Sequence, residues 1–360
     1  MSARRTKFLA GKSRQAGFSL IELMVALVLG LVVIGGVINI FLTNQQSSRS
    51  NEDLGRLQET SRVSFELMAR EIRQAGGNAC GALVTANVLN NAGTDWWANW
   101  DPRGTLEGFA AGVEATGIVQ IGNGEGQRTN NSDAIRVLSG GMFDGVPITG
   151  HNAATGVVSL ARTNHGFVEG DYVVICDGES AAIAQVTATS TAGVGSITHG
   201  VGVPVAAVAG VSVGRPGNCS IGTNFPTPLN CAVSPANTRA FAAGGYVTRY
   251  SANTWFIGNN ARGGTSLFRI GPNDVAPVEV TDGVTNMTID YLTRNNNTMA
   301  TDWVDAAAIA TWVPTAAAPA AVVAVRLQLD LQSLNNTGTD QAPLRRQLIH
   351  VVNLRNRAAP

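Results

Sequence analysis

From Phe18 to Leu42 the chain carries a single charge, Glu22, in a run built almost wholly of Leu, Val, Ile, Met and small residues. Roughly 20 consecutive apolar residues are what a membrane-crossing helix needs, so this stretch predicts a helix that spans a bilayer. A carboxylate in hydrocarbon costs about 2.5–3.5 kcal/mol even on lenient insertion scales, so Glu22 needs a partner. The residues before Gly17 include Arg4, Arg5, Lys7, Lys12 and Arg14 and no acid. That asymmetry holds the N-terminus in the cytoplasm and places everything after Leu42 outside. The run is longer than the apolar region of a secretory signal, and no small-residue cleavage site follows it, so the helix is expected to stay with the protein.

The segment "GFSLIELMVALVLG" (17–30) resembles the prepilin motif of type IV pilins and type II secretion pseudopilins: a glycine, an aromatic residue, and a glutamate at the fifth position counted from that aromatic. The resemblance implies that a prepilin peptidase cuts after Gly17 and methylates the new terminus at Phe18. It also implies that Glu22 meets the terminal amine of a neighbouring subunit during assembly. Four segments are then expected: a basic leader (1–17), a membrane half-helix (18–42), a periplasmic half-helix (43–76) and a β-rich domain (77–360).

Beyond the apolar run, Leu54, Leu57, Phe65, Met68 and Ile72 recur at helical spacing, so the helix is expected to continue until Gly76 and Gly77 stop it. Gly30, Gly35, Gly36 and Gly55 are places where it could bend. From about Gly81 the pattern changes to short β-prone runs between Gly, Asn, Asp and Pro turns, among them "DYVVIC", "TSLFRI", "VTNMTIDYL", "AVRLQLDLQS" and "RRQLIHVVNLRN". In "AVRLQLDLQS" Val325, Leu327, Leu329 and Leu331 alternate with polar residues, which predicts one buried and one wet face. The uncharged stretches 190–214 and 306–325 are rich in Ala and Gly or broken by Pro, and are expected to be loops and strands. The fold class is therefore α+β: a long N-terminal helix followed by a mainly antiparallel β domain. In order, these segments resemble the PilW family of minor type IV pilins. That resemblance implies other minor pilins, the major pilin, an inner-membrane assembly platform and a tip adhesin as partners. It also implies a path from the inner membrane, with the C-terminal domain in the periplasm, to the pilus at the cell surface. A type II secretion pseudopilin is the alternative reading, and a membrane-anchored adhesin a more distant one.

Only 14% of the residues are charged. Removing the five basic residues of the leader from the 25 Lys and Arg leaves 20 against 25 acidic residues, a mildly acidic mature chain. Nucleic-acid binding is not expected, because no broad basic face is encoded. Both lysines lie in the leader, which removes a P-loop lysine and a lysine Schiff base from consideration. Cys80, Cys176, Cys219 and Cys231 are an even set in a segment expected outside the cytoplasm, and disulfides follow. "CSIGTNFPTPLNC" reads as a loop closed on itself, leaving Cys80 with Cys176, although four cysteines allow three pairings.

No enzyme constellation is visible. His151, His165, His199 and His350 are dispersed and fit no metalloprotease motif, "GESAA" lacks a nucleophile elbow's second glycine, and "GNGEGQ" does not fit a dinucleotide loop. No metal and no cofactor is expected, since no EF-hand spacing and no paired-cysteine ligand set occurs. Trp96, Trp97 and Trp100 cluster in "TDWWANWDPRG". They invite a contact-loop reading, with packing between helix and sheet the stronger one, since large aromatics are usually buried.

Overall fold

The computed structural model describes residues 17–82, 84–90, 95–101, 104–142, 144–202, 216–222, 239–272, 274–295, 298–315, 319–338 and 340–355. The N-terminal helix α1 (Leu20–Gln74) has 55 residues, which at 1.5 Å per residue is about 82 Å, and it passes all four glycines without a break. From Leu20 to Leu42 every large apolar side chain is exposed, and among the described residues α1 is the one helix long and apolar enough to cross a membrane. The second half is different: Leu57, Met68, Ala69 and Ile72 are buried, with Phe65 packed beside them. Leu54, expected on that face, is 40% exposed, and its neighbour Asp53 is buried instead. The helix stops at Ala75, and Gly76 turns the chain with a φ of 74°, a left-handed conformation that glycine adopts without strain.

Among the described residues seventeen strands follow: β1 (Val84–Asn87), β2 (Leu106–Phe109), β3 (Ala134–Ser139), β4 (Val146–Asn152), β5 (Val157–Leu160), β6 (Tyr172–Cys176), β7 (Ala181–Gln185), β8 (Ala188–Ser190), β9 (Ser196–Thr198), β10 (Tyr246–Arg249), β11 (Ser251–Asn259), β12 (Thr265–Ile270), β13 (Val278–Asp282), β14 (Val284–Asn295), β15 (Thr298–Met299), β16 (Ala320–Gln332) and β17 (Arg345–Asn353). They form an eight-stranded sheet (β1-β7-β6-β10-β4-β5-β9-β8), a five-stranded sheet (β13-β12-β11-β3-β2) and a four-stranded sheet (β15-β14-β16-β17). Among these strands pairing is antiparallel except between β1 and β7. This is the α+β, pilin-like architecture expected.

The five- and four-stranded sheets share one apolar cluster with α1, which includes Trp255, Ile257, Leu267, Ile289 and Leu348. On β16, Val325, Leu327, Leu329 and Leu331 point into it, while Arg326, Gln328 and Asp330 stay half-buried on the other face. Neither uncharged stretch forms a spanning helix in its described part: 196–198 is strand β9, 306–308 is one short 3-10 turn, and 320–332 is β16. The segment before β3 is organised by Arg128. Its buried guanidinium donates to the carbonyls of Phe109, Ala110, Val113 and Ser132.

A disulfide between Cys80, just past α1, and Cys176, at the end of β6, ties the helix end to the eight-stranded sheet, with Cα atoms 5.9 Å apart. The buried Trp97 and Trp100 pack beside it against the rings of Tyr172 and Tyr250, and Trp96 is partly buried with them. Trp97 and Trp100 are 7% and 5% exposed. Cys219 is also disulfide-bonded, and Cys231 lies outside the described residues.

At the far side of the same sheet, two histidines that are remote in sequence meet. The Phe241 N–H donates to His151 Nδ1 at 3.0 Å, which leaves the proton on Nε2 to face His199 Nε2 at 3.1 Å. Burial lowers the pKa of His151 to about 4; burial, and then His151 itself, lowers that of His199 to about 3.

Two outcomes follow from these contacts. Replacing both Cys80 and Cys176 by serine should cost about 4–5 kcal/mol, the closure entropy of a loop on the order of 100 residues, read as a lower melting temperature without reductant. The histidine pair binds protons more readily unfolded than folded, so its contribution is complete above about pH 6.5 and is lost as the pH falls toward 4, by up to about 1.4 kcal/mol per pH unit and group. Melting the detergent-solubilised chain from pH 7.5 to 4.5 should show this slope, and a His151→Gln, His199→Gln variant should show a flatter one.

Candidate functional site

The residues singled out at the N-terminus are grouped by the start of α1. Ser19 is the N-cap: its Oγ accepts from the Glu22 N–H at 3.3 Å, and the Glu22 carboxylate accepts in return from the Ser19 N–H at 3.1 Å and the Ser19 hydroxyl at 3.2 Å. This capping box satisfies donors that a helix start leaves open, and it places a negative charge where the helix dipole is positive. Gly17 and Phe18 precede the helix and are exposed, Phe18 by 88%. Phe18 is therefore not a helical residue one turn before Glu22, as the sequence suggested. The carboxylate is folded back onto the residue next to Phe18, so an amine created at Phe18 would emerge one peptide away from it.

The other end of α1 is held by polar contacts that the sequence pattern did not reveal. Asp53 accepts from Asn335 Nδ2 at 3.0 Å and from Thr337 Oγ1 at 2.8 Å, in the loop between β16 and β17. The hydroxyls of Ser64 and Thr281, on β13, share a hydrogen bond of 2.8 Å. Glu71 accepts from Asn253 Nδ2 at 2.8 Å and Trp255 Nε1 at 2.6 Å, both on β11. Burial pushes the pKa of Glu71 up, opposed by the Trp255 hydrogen bond and the nearby Arg269. From residue 53 to 71 these three points span about 27 Å of helix, and each grips a different part of the domain. Losing a partner of a buried charge is costly, so the helix can neither slide nor roll without breaking several bonds at once. By contrast, Arg56–Glu52 and Arg62–Glu66 are exposed pairs at i,i+4, screened by water, and hold little.

The structure thus assembles a bare apolar rod, a carboxylate at its head, and a rigid joint to a β domain. Among the described residues no group of three or more His, Cys, Asp or Glu could hold a metal ion. Cys80, Cys176, Trp96, Trp97 and Trp100 sit together in the globular domain, on other elements than Glu22.

Residues 12–38 match the family described as the Prokaryotic N-terminal methylation motif. No curated protein and no solved structure matches the chain. The matched residues include Gly17, Phe18 and Glu22 and run along α1 as far as Ile38. The chain therefore carries a type IV pilin-like prepilin motif, which implies processing by a prepilin peptidase. With the apolar helix, the motif fits membrane anchoring of a C-terminal globular domain.

Proposed function

We propose that the chain is a minor pilin of the PilW type, made as an inner-membrane precursor with its β domain in the periplasm. It would be cut after Gly17, methylated at Phe18, and joined with other minor pilins in a complex that initiates the pilus and stays at its tip. The major pilin, the inner-membrane assembly platform and a tip adhesin are its further partners. It works by assembly and not by catalysis. The observation that carries this reading is the methylation motif at the head of a helix whose far end is pinned to a β domain through Asp53, Ser64 and Glu71.

Glu22 supplies the registry. In the isolated chain its carboxylate is occupied by Ser19, and in hydrocarbon it stays costly until an ammonium of a neighbouring subunit reaches it. Mass spectrometry of the mature chain should find N-methylated Phe18; an intact leader in assembled material, or a cut behind Leu42, would reject the proposal. Glu22→Gln should leave cleavage and insertion intact while reducing binding to partner pilins and pilus number. Disrupting the gene should abolish surface pili and twitching, and loss of enzyme secretion instead would assign the chain to type II secretion.

A further inference from the structure

The four-stranded sheet ends in an open edge. β17 has β16 on one side and, among the described residues, no strand on the other, and its register with β16 runs from Arg345 to Asn353 without a bulge. Two flanking bonds set the direction of its backbone groups: the Leu354 N–H donates to the Val323 carbonyl, and the Ser333 N–H donates to the Leu344 carbonyl. In an antiparallel ladder the N–H and C=O of one residue point the same way, and successive residues alternate. Even-numbered residues of β17 therefore bond to β16. Arg345, Gln347, Ile349, Val351 and Asn353 turn their backbone donors and acceptors outward, over a strand about 30 Å long.

Natural edge strands are usually blunted by proline, a bulge, an inward charge or brevity. β17 has nine residues, no proline and no bulge, and its two charges, Arg345 and Arg346, stand together at its start. Its exposed side chains include Ile349, 57% exposed, and Val351, 47% exposed, on the face away from α1, where the neighbours on β16 are Gln328 and Arg326. At its start Arg345 and Arg346 are exposed and form no ion pair among the described residues.

A second copy of the same edge does not fit. Asp53 meets Asn335 and Thr337, ahead of β17, and Phe65 meets His350 within it, so β17 advances in the same direction as α1. Antiparallel pairing of two β17 strands would place a twofold axis perpendicular to the sheet and reverse one α1 against the other. The two apolar half-helices would then leave in opposite directions and could not enter one bilayer.

We infer that β17 is a strand-addition site for a different membrane-anchored subunit. Its partner is an edge strand that runs back toward the membrane, antiparallel to β17, with carboxylates opposite Arg345 and Arg346 and apolar side chains beside Ile349 and Val351. Main-chain bonds supply the affinity and the arginines set the register. This deepens the pilin reading and rests on it, because that reading supplies neighbours anchored in the same bilayer.

The test uses the full-length chain in its native cell membrane, with a photo-crosslinking amino acid at Gln347 or at Val351. Mass spectrometry should place the adduct on a β-strand of another chain that has its own N-terminal anchor. Ile349→Pro removes one outward N–H and no bond to β16, and should lower adduct yield at least about tenfold when the crosslinker is at Gln347. Ile349→Thr, which keeps the N–H, should retain the adduct, and the Arg345→Glu, Arg346→Glu variant should lose most of it. Adducts on β17 of a second copy, adducts confined to helices, adducts on a chain without an anchor, no adduct, or yield unchanged by the proline would each overturn the inference. The mass of the mature terminus, read in the same samples, separates the two failures: methylated Phe18 without the adduct sinks the edge alone, whereas an unprocessed leader sinks the pilin reading.

Discussion

The rest of the structure depends on the seam between the second half of α1 and the β domain. A helix about 80 Å long gains little from its own hydrogen bonds beyond what water would offer, and most of its stability comes from what it packs against. One half offers only apolar surface to a bilayer; the other must be held by protein. The seam does this with Leu57, Met68 and Ile72 buried against both smaller sheets, and with Asp53, Ser64 and Glu71 bonded to three separate parts of the domain. Apolar contact alone would tolerate sliding. Buried carboxylates with fixed partners do not, and so the position of the membrane half is transmitted rigidly to the domain.

The head of the helix follows the opposite principle. Glu22 has local partners in Ser19, but these are hydrogen bonds of a cap at an exposed helix start, and among the described residues no cation pairs with the carboxylate. One rod thus carries buried polar bonds to the β domain at one end and an exposed capping box at the other.

Away from the rod, the eight-stranded sheet has its own apolar cluster and is joined to the helix end through Cys80–Cys176 and the Trp97–Tyr172 and Trp100–Tyr250 packing. Sequence pattern could name these residues but not this role. Three tryptophans in a polar loop look the same whether they face solvent or a disulfide, and the difference is made by Tyr172 and Tyr250, which lie more than 70 residues further along. The histidine pair shows the same limit: His151 and His199 are read singly as isolated, and only the pairing of β5 with both β4 and β9 brings them into contact.

What the sequence determined by itself is what depends on local pattern. The apolar run, the charge asymmetry before it, the Gly17-Phe18 junction and Glu22 all lie within about 40 residues. Strands such as β12 and β16 are legible from alternation of period two, and the stop at Gly76 from backbone freedom that only glycine has. The tertiary structure decided everything that rests on pairing across distance. It put Asp53 and not Leu54 inside, gave Glu71 to Trp255, wrapped four carbonyls around Arg128, and put β17 at one edge of its sheet. Hydrophobic periodicity reports which face of an element is turned inward. It does not report which polar group that face will meet, because the partner's position is set by strand order and register, and those emerge only when the whole chain has folded.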